Sequence, residues 1–159
     1  MAAAKPNELR LIRVYDAPAK LVWTMWTEDK HVTKWWGPRG FTLTTKSKDV
    51  RPGGKWIYTM HGPDGTDYPN KVIFLEVVKP ERLVYKHASD DETENVNFHV
   101  TVTFEAAGDK TKLEMRSVFE SKEELARVEE KYGAIEGAKQ TVSRLEQYLL
   151  QMHPALKGN

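Results

Sequence analysis

The sequence predicts an α+β domain in which a curved antiparallel sheet of about seven strands wraps around a long C-terminal helix, with two short helices after the first strand. Residues 41–119 alternate with a period of two in short runs punctuated by turn residues, the mark of a strand meander. Residues 121–152 instead space their apolar side chains three and four apart, as on one face of a helix. Between an aliphatic opening run and the meander lies a helix-patterned stretch that Gly37 and Pro38 close.

Residues 9–15, aliphatic and β-branched, read as the first strand, stopped by Asp16-Ala17-Pro18. Asp16 as N-cap and Pro18 in the first turn then predict a helix from Ala19 to about Glu28, with Leu21, Val22, Met25 and Trp26 on one face. A second short helix is expected from about Asp29 to Trp35. The meander follows as strands over residues 41–50, 55–61, 68–78, 82–87, 96–105 and 111–119. Pro63-Asp64-Gly65 and Gly108-Asp109 supply tight turns, with Lys79-Pro80-Glu81 and Asp90-Asp91-Glu92 as further turns.

The inward faces are Trp56, Tyr58 and Met60; Leu83, Tyr85 and His87; Val96, Phe98, Val100, Val102 and Phe104; and Leu113, Met115 and Phe119. In residues 68–78, Ile73, Leu75 and Val77 oppose Val72, Phe74 and Val78, so either face satisfies the pattern. Ser121 with Glu124 forms a capping box that opens the longest helix, expected to run to about Met152. Gly133 and Gly137 interrupt its stripe, and since each costs a helix interior about 1 kcal/mol, they indicate a bend or a close approach to another backbone.

At 159 residues the chain fits one domain, expected over residues 8–152 with flexible termini at 1–7 and 153–159. Lys and Arg total 24 against 23 Asp and Glu, so no global field favours nucleic acid or an anionic membrane. The absence of cysteine excludes disulfides, thiolate catalysis and Cys-ligated metals. The first residues lack a secretory pattern and no apolar run approaches a membrane span of about 20 residues, so a cytoplasmic protein is expected, as monomer or homodimer.

All five tryptophans fall in the first third, at positions 23, 26, 35, 36 and 56, which suggests an aromatic-walled groove as readily as a filled core. Trp23 and Trp26 read as anchors. One of Trp35 and Trp36 is expected to anchor the short helix while the other lines the groove mouth, because adjacent helical residues point apart. Gly53-Gly54 reads as a hairpin turn, since no helix or Lys-Ser/Thr pair follows to make a phosphate loop. His31, His61, His87, His99 and His153 form no ligating pair, so no metal is expected. No Gly-x-Ser-x-Gly elbow is present, and the sequence ties no Ser or Thr to a positioned His and carboxylate.

The chain resembles the activator-of-heat-shock-protein-90-ATPase homologue family of the START-like (SRPBCC) superfamily. The matching strings include Arg13-Val14-Tyr15-Asp16-Ala17-Pro18, Trp35-Trp36-Gly37-Pro38, Asp49-Val50-Arg51-Pro52-Gly53-Gly54-Lys55-Trp56, Met60-His61-Gly62-Pro63-Asp64-Gly65 and Pro80-Glu81-Arg82-Leu83-Val84, in order along the chain. The resemblance implies the helix-grip fold shared with birch-pollen-allergen-like proteins, a container whose contents the fold does not name. Members of the superfamily include lipid carriers, hormone receptors, polyketide cyclases and co-chaperone modules.

The expected site is therefore a cavity between sheet and terminal helix that holds a small hydrophobic or aromatic molecule without cofactor or metal. Trp36, Phe41, Trp56, Tyr58, Met60, Tyr85, His87, Phe98, Met115, Tyr132 and Glu136 are the candidate ligand-binding residues. The aromatics would supply apolar contact, while Tyr85, His87 and Glu136 would orient polar atoms. His87 near the rim would hydrogen-bond a ligand or titrate near neutrality, and Glu136, if buried, would pair with a base such as Arg13 or carry a raised pKa. A module that contacts a heat-shock chaperone is the second reading, and a cyclase- or hydrolase-type enzyme with an ionisable pair in the cavity the third.

Overall fold

The computed structural model describes residues 7–89 and 97–157. Its elements run β1 (Glu8–Tyr15), α1 (Ala19–Thr27), α2 (Asp29–Val32), β2 (Thr42–Lys48), β3 (Lys55–His61), β4 (Asp67–Val78), β5 (Arg82–Ser89), β6 (Asn97–Ala107), β7 (Lys110–Phe119), α3 (Lys122–Tyr132) and α4 (Ala134–Lys157). The seven strands form one antiparallel sheet in the order β1-β7-β6-β5-β4-β3-β2. Strands β2 to β7 are each paired with the next in sequence, while β1 closes the far edge against β7. The helix-grip arrangement is thus an α+β meander whose first connection, through α1 and α2, crosses from one edge to the other.

The core lies on the inner face. Trp56, Tyr58, Leu83, Tyr85, Val100, Val102, Phe104 and Leu113 are buried there, matching the period-two reading. From the helices and the turn after α2 it is met by Val22, Trp23, Trp26, Trp35, Leu145 and Leu149. The Tyr15 hydroxyl donates to the Val142 carbonyl at 3.0 Å, which ties α4 to the end of β1.

Strand β4 shows why its own pattern was ambiguous. Phe74 pairs with Tyr85, but the next partners are Glu76 and Val84, so Leu75 is the extra residue of a bulge. The inward set therefore switches parity, from Val72 and Phe74 to Val77, and leaves Leu75 exposed.

Three helical expectations are corrected. The N-cap of α1 is Pro18, whose carbonyl accepts from Leu21 and Val22, while Asp16 lies upstream of the helix. Helix α2 ends at Val32 because turn bonds from Lys34 and Trp35 tighten the chain toward Gly37, which sits at φ +99°. The terminal helix is two helices: Ser121 caps α3 through the Glu124 N–H at 3.0 Å, and Gly133, left-handed at φ 64°, ends it. The Glu129 carboxylate then accepts from the Ile135 N–H at 2.6 Å, capping the start of α4. Gly137 marks a close approach, since a Cβ there would stand 3.4 Å from Pro38.

Helix α4 continues to Lys157, past the expected end at Met152. The expected turn at Asp90-Asp91-Glu92 and the position of Val96 lie outside the described residues.

Candidate functional site

The tryptophans pack into a cluster that sends one of its rings, Trp36, to the wall of a cavity. Trp26 meets Trp35 and Trp36 edge to face at 5.1 and 5.3 Å, and Trp36 meets Trp56 at 5.3 Å. Trp35 is fully buried, with its indole N–H on the Met25 carbonyl at 3.1 Å. Trp36 donates to the Tyr58 hydroxyl at 3.1 Å, and Tyr58 stacks on Trp56 at 4.1 Å. Trp56 and Tyr58 thus stand behind Trp36, and Trp36 is the tryptophan that lines the adjoining cavity.

That space is a cavity of about 490 Å³ between the inner face of the sheet and the helices. Seven of the expected residues line it: Trp36, Phe41, Met60, Tyr85, His87, Phe98 and Met115. Trp56 and Tyr58 are core residues instead, because each turns its ring toward the Trp36 cluster. Glu136 is exposed on α4, and Arg13, its expected partner, donates to the Ile12 carbonyl. The side chain of Tyr132 lies outside the described residues.

Sequence reasoning missed Leu9, Tyr68, Asn70, Ser117, Val128 and Thr141 on the wall, and placed Phe119 on the inner face without assigning it to the site. Ser117 was findable, since it shares the parity of Met115 and Phe119. Tyr68 and Asn70 were not, because the Leu75 bulge hid the inner face of β4.

The polar feature of the wall is a fixed pair. Asn70 Nδ2 donates to the Tyr68 carbonyl at 2.9 Å, which leaves Oδ1 toward His87 Nε2, also at 2.9 Å. The His87 ring packs edge-on against Phe98 at 4.8 Å. Burial pushes its pKa down to about 4, so the imidazole is neutral where the sequence suggested titration near neutrality. Burial raises the Tyr58 and Tyr85 hydroxyls above the ordinary phenol value, so both keep their protons. Among the described residues, no three His, Cys, Asp or Glu groups converge to hold a metal.

The mouth is built by the Gly37-Pro38 turn. A Cβ on Gly37 would stand 2.7 Å from the Met60 methyl, so the backbone passes where no side chain fits. Arg144 fastens this turn to α4 with one guanidinium nitrogen, 3.3, 2.9 and 3.0 Å from the carbonyls of Trp36, Gly37 and Pro38. Gln140 adds a bond from the Arg39 N–H at 3.0 Å. Arg144→Met keeps the aliphatic stem and removes only these charged hydrogen bonds, so it should lower stability by about 2 kcal/mol in urea titration; an unchanged midpoint would refute the fastening.

The structure does tie a threonine to a histidine and a carboxylate. Thr44 Oγ1 lies 2.8 Å from His61 Nε2, and His61 Nδ1 lies 2.7 Å from Asp67 Oδ1. The order is that of a hydrolytic triad, yet Thr44 and His61 alternate with the inward Leu43 and Met60 and so stand on the outer face. Triad chemistry draws on donors aimed at an oxyanion in a water-poor site. The exposed Thr44 and Asp67 make this chain a surface hydrogen-bond ladder across β2, β3 and β4.

Elsewhere, Lys48 lies over Trp56 at 4.4 Å and its pKa falls to about 8, burial being the cause. The described residues include no helix long and apolar enough to cross a membrane.

A family model described as "Activator of Hsp90 ATPase homolog 1-like protein" matches residues 16–150. No curated protein matches the chain. Among solved structures, an NMR structure of a protein from Arthrobacter aurescens is similar at 28% identity and TM-score 0.86, covering 92% of this chain and 87% of that one. A crystal structure of a protein from Mycobacterium smegmatis is similar at 27% identity and TM-score 0.83, covering 93% and 94%. A crystal structure of a protein from Nitrosomonas europaea gives 25% identity and TM-score 0.83, covering 95% and 99%.

Proposed function

The chain belongs to the activator of Hsp90 ATPase homolog 1-like family, and from that premise we propose that it is a binding module holding a small hydrophobic or aromatic molecule between the sheet and α4. One observation carries this reading: an open volume of about 490 Å³ behind Trp36, Phe41, Met60, Phe98 and Met115. Ligand pockets commonly occupy about 300–1,000 Å³ with apolar walls and few polar groups. Here the rings supply dispersion and apolar contact, and Tyr85 and His87 orient polar atoms of the guest. Trp56 and Tyr58 act from behind, by holding Trp36 in place.

Filling the space tests the reading. Met115→Trp places a larger side chain in the cavity and should weaken Nile red uptake about tenfold or more, with thermal unfolding showing the variant folded. Unchanged uptake in the folded variant would reject this pocket. Native mass spectrometry of gently purified protein should in addition show a co-purifying small molecule.

A chaperone-contacting module is the reading that the family description raises, and it calls for a contiguous exposed apolar patch. The large exposed apolar side chains among the described residues are Val14, Leu75, Val78 and Leu150. Val14 is on edge strand β1 and Leu75 and Val78 on β4, with three strands between, so the exposed apolar residues of the sheet form no single patch. This favours the container. Capture of heat-shock protein 90 by the ligand-free chain, with no Nile red uptake, would reverse the preference.

A further inference from the structure

We propose that the cavity selects uncharged apolar molecules bearing a hydroxyl or N–H donor, and that His87 Nδ1 accepts that hydrogen bond. The inference rests on the container reading and adds the chemical class of the guest.

The imidazole of His87 carries its proton on Nε2. Because Asn70 Nδ2 is spent on the Tyr68 carbonyl, the amide presents only its oxygen to His87 Nε2. An oxygen acceptor at 2.9 Å requires Nε2 to carry the hydrogen. In the neutral ring Nδ1 is then a bare acceptor, held in one direction by the Asn70 bond and by the Phe98 edge contact.

Nδ1 has no hydrogen-bond partner among the described residues. Nor is it sealed in protein: Trp26 Nε1 is the single enclosed side-chain N or O without a partner among those residues. An unpartnered nitrogen on a wall residue that is not enclosed faces the cavity. The same reasoning places the Tyr85 hydroxyl and Ser117 Oγ against open space, although both residues are at least nine-tenths buried, at 2% and 3% exposure. Tyr85 aligns with Val100 and Val100 with Ser117, so these hydroxyls flank an apolar lane across β5, β6 and β7.

The charge inventory completes the selection. Among the described residues no lysine or arginine lines the cavity, so a carboxylate or phosphate guest would lose hydration without gaining a counter-ion from them. Among the described residues the acidic one on the lining is Asp67, whose carboxylate pairs with His61 at 2.7 Å on the outer face. A cationic guest therefore finds no free carboxylate among the described lining residues. What remains is a neutral molecule, most of it apolar, with a donor for Nδ1 and tolerance for a second polar atom at Tyr85 or Ser117.

The test compares three probes of one shape on the full chain by calorimetry: 4-phenylphenol, 4-methoxybiphenyl and biphenyl-4-carboxylate. The phenol should bind about tenfold tighter than its methyl ether, the worth of one added hydrogen bond, and the carboxylate should bind weakest. His87→Phe should abolish the tenfold gap between the phenol and the ether, both then binding with similar affinity. Nitrogen-15 NMR of the unmutated chain gives an independent reading: the bare Nδ1 resonance should shift with the phenol and stay fixed with the ether. Equal binding of phenol and ether, a preference that survives in His87→Phe, tightest binding of the carboxylate, or an unmoved Nδ1 signal would each overturn the proposal while leaving the container reading standing. Failure of Nile red and all three biphenyls to bind would bring down both.

Discussion

Trp35→Ala should destabilise the protein by about 3–5 kcal/mol, the range for truncating a large buried aromatic residue. Trp35 has no exposed surface, and its ring meets both Trp26 and Trp36 edge to face, at 5.1 and 5.5 Å. Truncation opens a void at the centre of the cluster. It also removes the donor to the Met25 carbonyl, the bond that docks the end of the α2 turn onto α1. Far-UV circular dichroism in a denaturant series is the suitable readout, because the substitution itself changes the fluorescence. Trp35→Phe, which retains most of the ring contact, should lose less than half as much. A midpoint for Trp35→Ala close to that of the unmutated protein would mean that the cluster does not anchor the helices.

Acid should weaken the fold through His87. Burial holds its folded pKa at about 4 against an ordinary 6.5, with no charged neighbour contributing to the shift. Above pH 6.5 the imidazole is neutral in both states and the burial has no consequence for pH dependence. As the pH falls from 6.5 to about 4, the unfolded chain takes up a proton that the folded chain excludes. At about 1.4 kcal/mol per pH unit, the loss over that window is about 3 kcal/mol.

The burial of His31 depresses its pKa as well, and it contributes in the same direction. Glu114 and Glu124, held low by Arg10 and Arg127, act through lost carboxylate pairing at lower pH. The measurement is therefore a difference: the pH dependence of unfolding free energy in the unmutated protein less that in His87→Phe. A flat difference between pH 6.5 and 4 would show that the ring takes up a proton as readily in the folded chain as in the unfolded one.

Much of the fold was legible because burial on one side of a sheet writes itself into alternate positions. Trp56 and Tyr58, Val100 and Val102, and Leu113 all lie where parity puts them. Parity failed at β4, where one extra residue exchanges inside for outside and the sequence carries no mark of it. Helix patterns located the apolar stripe of the C-terminal segment, yet periodicity cannot distinguish a glycine that bends a helix from one that ends it. Gly133 ends it with a left-handed residue, whereas Gly137 stays helical and yields room to Pro38.

The site was legible to a lesser degree, since inward-facing residues are of two kinds that sequence does not separate. Tyr58 and Met60 share a face of β3, but Tyr58 is closed over by Trp36 while Met60 opens on the cavity. Which of the two meets empty space depends on where α1, α2 and the Gly37 turn come to rest. That is a property of docking, fixed by contacts such as those of Arg144, with no local signature.

The tryptophan cluster has an optical consequence. Trp26, Trp35, Trp36 and Trp56 form a continuous chain of rings with neighbouring centroids between 5.1 and 5.5 Å apart. At such separations an electronic excitation hops between indoles well within its lifetime, so light absorbed anywhere in the group samples Trp36. Because Trp36 is also the ring that a guest would touch, the chain carries its own fluorophore, and occupancy can be followed by emission without a label.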